Sequence, residues 1–199
     1  MRLPVHVEPL AGMPPDVDYR WDPDTEILSA RVQEAARPRE GGFVGLLPAG
    51  DGAALSDLPL HFGPDDSLSG AVELEGRDGS WIVLDVERGR LAGIEVAVWP
   101  SVRRRHTLAP PTVVVDAHVR VTGRRGTRES APSQPASLEV TTQVTAESDA
   151  TERTIHFQLG PARQARSVRL GRDLLVDVDT EGHLAGLWLL NVPPVPTVT

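Results

Sequence analysis

The residues VERGRLAGIEV at 86–96 return as VDTEGHLAGLWL at 178–189. A chain that carries one motif twice is constrained to build two related units. Aligning Gly89 with Gly182 places Leu91-Ala92-Gly93 on Leu184-Ala185-Gly186, Ile94 on Leu187 and Val96 on Leu189. Asp85-Val86 falls on Asp177-Val178 with one extra residue in the second turn, and Val72 and Leu74 fall on Val168 and Leu170. Further back, DPDTEILSARV (22–32) lines up with DATERTIHFQL (149–159).

The motif reads as a tight turn followed by a bulge. Gly89 and Gly182 stand where a hairpin turn needs positive φ, which glycine adopts without steric cost. Leu91 and Ile94 are three residues apart, as are Leu184 and Leu187, whereas same-face residues of a regular strand are two apart. A β-bulge at the Ala-Gly pair returns both apolar residues to one face.

Strand patterns fill much of the remaining chain. VVVDAHVRV (113–121), SLEVTTQVT (137–145) and TIHFQL (154–159) alternate apolar and polar residues. SWIVLDV (80–86) and DLLVDV (173–178) are more continuously apolar, as in strands covered on both faces. The strongest helix signal is DTEILSARVQEAARP (24–38), which Pro38 ends, but the internal alignment favours a strand through ILSARV. The expected fold is all-β: two pseudo-repeated antiparallel β units, sandwich or barrel-like, with few or no long helices. The units span 1–100 and 101–199. An inserted loop at about 37–68 interrupts the first, and an Arg-, Ser-, Gly- and Pro-rich loop at about 123–137 interrupts the second.

Charge is divided unevenly between the halves. Residues 1–100 hold 18 acids and 8 arginines, and residues 101–199 hold 10 acids and 12 arginines. The net charge of −8 argues against a nucleic-acid partner, which needs a basic face to displace counterions. Apolar runs are too short to span a bilayer, and the first residues lack a secretory pattern; a cytoplasmic protein without membrane contact is expected. There is no cysteine and no lysine. Disulfides, thiolate metal sites and Schiff-base chemistry are therefore excluded.

Catalytic motifs are missing. No G-x-S-x-G elbow or P-loop occurs, and the six histidines (6, 61, 106, 118, 156 and 183) show no metal-ligand spacing. Acids cluster in DVDYRWDPDTE (16–26) and DVDTEG (177–182), but neither is a twelve-residue calcium loop, and aspartate in such turns usually caps backbone N–H groups. No metal, cofactor or catalytic residue is assigned. The inserted loop is unusually apolar, and Phe43, Leu46 and Leu47 are candidate contacts for a partner. Arg103, Arg104 and Arg105, at the seam between halves, are the candidate anion or partner clamp.

The front YRWDPDTEILSARV with IVLDVERGRLAGIEV resembles the small bacterial family called domain of unknown function 2283. The matching positions are Tyr19, Asp22, Glu26, Leu28, Asp85, Gly89, Gly93, Ile94 and Glu95. The second half is a weaker copy, keeping Asp149, Ile155, Asp177, Asp179, Gly182, Gly186 and Leu187, with Trp188 in place of the usual Glu. The resemblance implies a small β-rich fold with no assigned activity, and toxin-like gene neighbours of some members hint at partner binding. The sequence thus favours a non-enzymatic interaction or scaffold protein, partnered by another protein or by its own copies. The competing reading is a β-barrel or sandwich, a carrier or a cofactor-free enzyme, that holds a small apolar ligand. Its walls would be Trp21, Trp81, Trp99 and Trp188, with the 37–68 insertion as lid.

Overall fold

The computed structural model describes residues 2–33, 61–62, 68–112, 114–122 and 138–196. Among these every regular element is a strand, so the all-β expectation holds, and no helix is long and apolar enough to cross a membrane. Phe43, Leu46 and Leu47, with the rest of the proposed lid except His61, Phe62 and Leu68, lie outside the described residues.

Two five-strand arrangements recur with one strand order. The first has a hairpin, β2 (Val17–Asp22) and β3 (Ile27–Val32), and a meander, β5 (Leu68–Gly76), β6 (Trp81–Glu87) and β7 (Arg90–Val98). Because β3 pairs with β7, the order is β2-β3-β7-β6-β5, with every neighbour antiparallel. The second has β11 (Val144–Asp149), β12 (Ile155–Leu159), β13 (Ala165–Gly171), β14 (Leu174–Asp179) and β15 (Leu184–Leu189). Here β12 pairs with β15, giving β11-β12-β15-β14-β13, again antiparallel throughout.

Both meanders carry the bulge that the Leu-Ala-Gly spacing requires. Asp85 faces Gly93 and Val86 faces Leu91, leaving Ala92 over. Asp177 faces Gly186 and Val178 faces Leu184, leaving Ala185 over. The turn glycines have φ of 79° at Gly89 and 78° at Gly182.

Four further strands lie beside the two arrangements, β1 (Val5–Pro9), β8 (Val102–Arg105), β9 (Val114–Val121) and β10 (Leu138–Thr142), and β9 pairs with a strand of each. β9 runs parallel to β13 and touches β7 at Arg90, while β1 runs antiparallel to β9. β10 is parallel to β5, and β8 is parallel to β11. The short β4 (His61–Phe62) pairs with β5. Pairing within each arrangement is antiparallel; the parallel joins, which the sequence did not anticipate, lie between an arrangement and a strand beside it. β8, β9 and β10 each reach their parallel partner by a long connection and so are free to lie parallel, whereas a two-residue turn forces antiparallel pairing. A second difference is that SLEVTTQVT is two strands. It breaks at Gln143, so that β10 serves the first arrangement and β11 the second.

The fifteen strands among the described residues form one curled mixed sheet. Its inner face gathers Leu28, Leu74, Ile82, Leu84 and Ile94 with Phe157, Leu174, Val176, Leu187 and Leu189 into one core cluster. The halves share this core, which at about 25 cal/mol per Å² of apolar surface removed from water is the chief stabilising term. The seam is also clasped by polar contacts. Tyr19 Oη donates to the Asp173 carbonyl at 2.7 Å, and burial pushes its pKa up. The chain before β1 holds the β14–β15 turn through Val5 N to Gly182 O, 2.8 Å, and Leu184 N to Leu3 O, 2.9 Å.

Candidate functional site

Two hairpin turns, one from each half, flank a groove of about 470 Å³. They are built alike. Asp22 Oδ1 accepts N–H groups of Asp24 and Thr25 at 2.9 and 3.4 Å. Asp149 Oδ1 accepts those of Arg153 and Thr154 at 2.8 and 3.0 Å. Such caps suit an ionised carboxylate. The Thr25 side chain and the Asp24 N–H lower the pKa of Asp22; at Asp149, burial works upward but bonds from Thr151, Thr154 and Arg153 outweigh it. Each turn forces a glutamate into left-handed backbone, Glu26 at φ 57° and Glu152 at φ 58°, a conformation that costs about 1 kcal/mol for a side chain with a Cβ.

The groove wall is aromatic. Trp21, from β2, stacks on Trp99, which follows β7, with ring centroids 5.7 Å apart and planes 18° apart; Phe157 of the core lies 5.7 Å beyond Trp99. Both indole N–H groups are spent on carbonyls, Trp21 to Pro193 and Trp99 to Glu26, at 2.8 and 2.9 Å. These bonds fix the rings and leave mainly π surface for contact. Ser148 and Ile155, opposite one another on β11 and β12, line the groove with Pro193, Pro194 and Val102. Ser148 is 1% exposed and its hydroxyl has no hydrogen-bond partner.

On the outer face of the second half, a polar cluster surrounds Asp177. Ser167 Oγ donates to Asp177 Oδ1 at 2.5 Å, while Trp188 Nε1 and His156 Nε2 reach Oδ2 at 3.0 and 3.1 Å. Burial pushes the Asp177 pKa up, and the bonds from His156, Ser167 and Trp188 together outweigh it and hold the carboxyl low. The order of contacts decides the chemistry. The carboxylate sits between serine and histidine, so the serine donates to the acid and is not activated by the imidazole. The cluster is a satisfied polar network, not a nucleophile relay.

Asp179, Glu181 and His183 place one ligand atom each within 4.8 Å of one another. Their charges are already met by arginine. Arg163 Nε lies 2.7 Å from Asp179 Oδ2, and Arg2 Nη1 lies 2.7 Å from Glu181 Oε2. Asp179 Oδ1 also accepts the Glu181 and His183 N–H groups at 2.9 and 2.8 Å. Two guanidinium groups on two carboxylates leave little charge for a cation, and this group clamps the β14–β15 turn.

The outer face of the first half is acidic. Glu139 on β10 lies directly beside Glu73 on β5, and Glu75 lies opposite Trp81 on β6. These four side chains with Gly79 line a shallow depression of about 270 Å³. Trp81 is 38% exposed, and none of the three glutamates has an ion-pair partner among the described residues.

The four tryptophans therefore do not form one pocket: Trp21 and Trp99 meet, Trp81 is exposed beside the three glutamates, and Trp188 is buried in the Asp177 cluster. The arginine run is a strand, β8. Arg104 pairs with Glu152, and Arg105 Nη2 lies 2.6 Å from Glu147 Oε1; Arg103 is exposed. Among the histidines on strands, His156 of β12 reaches Asp177, whereas His118 on β9 faces Glu8 of β1. Searches of family models and of curated proteins found no match to the chain. The Glu73, Glu75 and Glu139 group was missed in the sequence because β5 and β10 are neighbours only after folding. Its one sequence signal is the alternation of Glu73 and Glu75 on the face opposite Val72 and Leu74.

Proposed function

We propose that the protein is a non-enzymatic binding scaffold, two copies of one β unit related to the domain of unknown function 2283 family, that receives a basic protein segment on the outer face of its first copy. The common strand order of the two arrangements and their matching bulges support the duplication. The observation that carries the binding role is the Glu73, Glu75 and Glu139 group around half-exposed Trp81. Like charges placed side by side across a strand pair are destabilising, and an exposed indole adds apolar surface. A segment with arginine or lysine beside an apolar residue relieves both, through ion pairs and cation–π contact with Trp81. The excess of acids in residues 1–100 steers such a partner to this half. Phe43, Leu46, Leu47 and exposed Arg103 are secondary proposed contacts, and a cytoplasmic setting belongs to the same proposal.

The test is titration of a short alternating Arg-Leu peptide, read by calorimetry at low and high salt. Binding is expected to weaken about tenfold or more in a Glu73→Gln, Glu75→Gln, Glu139→Gln variant. It should persist when Asp16, Asp18 and Asp24 are neutralised instead. Equal loss in both variants, or no saturable binding by the parent protein, rejects this face as the docking site.

A further inference from the structure

The groove between the hairpin turns has a charge and lining that name a ligand class independently of the acidic outer face. We infer that it binds a small organic ammonium ion whose apolar body lies on Trp21 and whose N–H reaches Ser148.

Three observations lead there. Among the described residues, the charged side chains lining the groove are Glu26 and Glu152, and no basic residue lines it. Glu152 is met by Arg104, but Glu26 has no ion-pair partner among the described residues. An anion would meet a carboxylate here, and a neutral apolar molecule would desolvate one without compensation. A cation gains from Glu26 and from the indole face together.

The aromatic wall is the second observation. Trp99 stacks on Trp21 and lies 5.7 Å from Phe157 at a tilt of 42°, and both indoles line the groove. With both indole N–H groups bonded to carbonyls, the rings are preorganised, and binding need not order them.

Ser148 is the third. A buried hydroxyl without a partner costs about 1–3 kcal/mol, and this residue lines the groove from the buried face of β11. An ammonium N–H donated to Ser148 Oγ satisfies it. That contact separates a primary or secondary amine from a quaternary one. Groove size is consistent with a ligand of one ring and a short chain, since ligand sites begin at about 300 Å³.

Phenethylamine, its neutral isostere phenethyl alcohol and phenethyltrimethylammonium are the probes, titrated against the whole chain with calorimetry and tryptophan emission. Phenethylamine is expected to bind saturably, with the alcohol about tenfold weaker. Glu26→Gln should weaken both cations about three- to tenfold and leave the alcohol unchanged. Ser148→Ala should weaken phenethylamine but not the trimethyl compound. This variant is expected to fold at least as stably as the parent, because it deletes an unsatisfied group. The inference is overturned if the alcohol binds as well as the amine, if no probe saturates, or if neither substitution affects the amine. None of these outcomes bears on the acidic face, whose peptide titration is read separately.

Discussion

His156 and Trp188 lie ring against ring, centroids 4.1 Å apart and 19° from parallel, and both aim a ring nitrogen at Asp177 Oδ2. They face each other across β12 and β15, so backbone pairing sets the stack and the stack sets the two donors. Removing the shared acceptor strands them both. Asp177→Ala is expected to cost about 2–4 kcal/mol, the range for unpairing buried donors, measured by urea unfolding. The pH dependence follows from the lowered Asp177 pKa. Its stabilisation is present above the ordinary carboxylate range and is lost as pH falls through the lowered folded value. Parent stability should drop on acidification, and Asp177→Asn should flatten that drop.

Asp85 holds the same place in the first half, opposite the bulge glycine Gly93, with the opposite electrostatic outcome. Ala71 faces it where Ser167 faces Asp177, and Asp85 Oδ2 has no hydrogen-bond partner. Burial raises its pKa, Arg31 at 3.4 Å offsets that in part, and Glu87 adds to the rise. A raised carboxyl pKa means a penalty that is absent below the unfolded value and appears as pH rises through the folded one. Asp85→Asn should therefore stabilise the protein at neutral pH, with the gain shrinking to nothing in acid. A loss of melting temperature at neutral pH would instead show that the Arg31 pair outweighs desolvation.

The features legible in the sequence are those encoded within one strand or one turn. The three-residue step from Leu91 to Ile94 has a single solution on a pleated surface, and Gly89 has a single reason to sit where it does. Strand neighbours across long connections were not legible. Nothing local in SLEVTTQVT distinguishes one strand from two, because the break at Gln143 exists only to send β10 to β5 and β11 to β12. Trp21 and Trp99 are brought together for the same reason, by the β3–β7 pairing.

The two bulge glycines differ in how much space their backbone leaves. A Cβ on Gly186 would lie 2.8 Å from Asp177 Oδ2, 2.9 Å from His156 Nε2 and 2.9 Å from the Phe157 carbonyl. One on Gly93 would lie 3.2 Å from the Ala30 carbonyl and 3.3 Å from Arg31 Cγ, a side chain able to move. Gly186→Ala is expected to cost about 2–3 kcal/mol and Gly93→Ala about 1 kcal/mol. Denaturant midpoints of the pair check the ranking, and equal costs would mean that the Asp177 cluster yields more easily than its packing implies.

The arginine run tests what holds a strand at the seam. β8 is exposed along its whole length and pairs with β11 from Val102↔Ala146 to Arg105↔Asp149. The ion pairs of Arg104 with Glu152 and Arg105 with Glu147 lie on this exposed surface, where such pairs contribute about 0.2–1 kcal/mol each and fade with salt. If the backbone ladder holds β8, replacing Arg103, Arg104 and Arg105 together by glutamine costs no more than about 2 kcal/mol. The cost should shrink further at high salt. The Asp149 amide is spent on the Thr154 carbonyl, so strand alternation turns the Ala146 and Ser148 amides toward β8, and hydrogen exchange there gives the local readout: protection should survive the triple substitution. Protection lost there, with the rest of the sheet intact, would mean that charge, not pairing, fixes β8 to the second half.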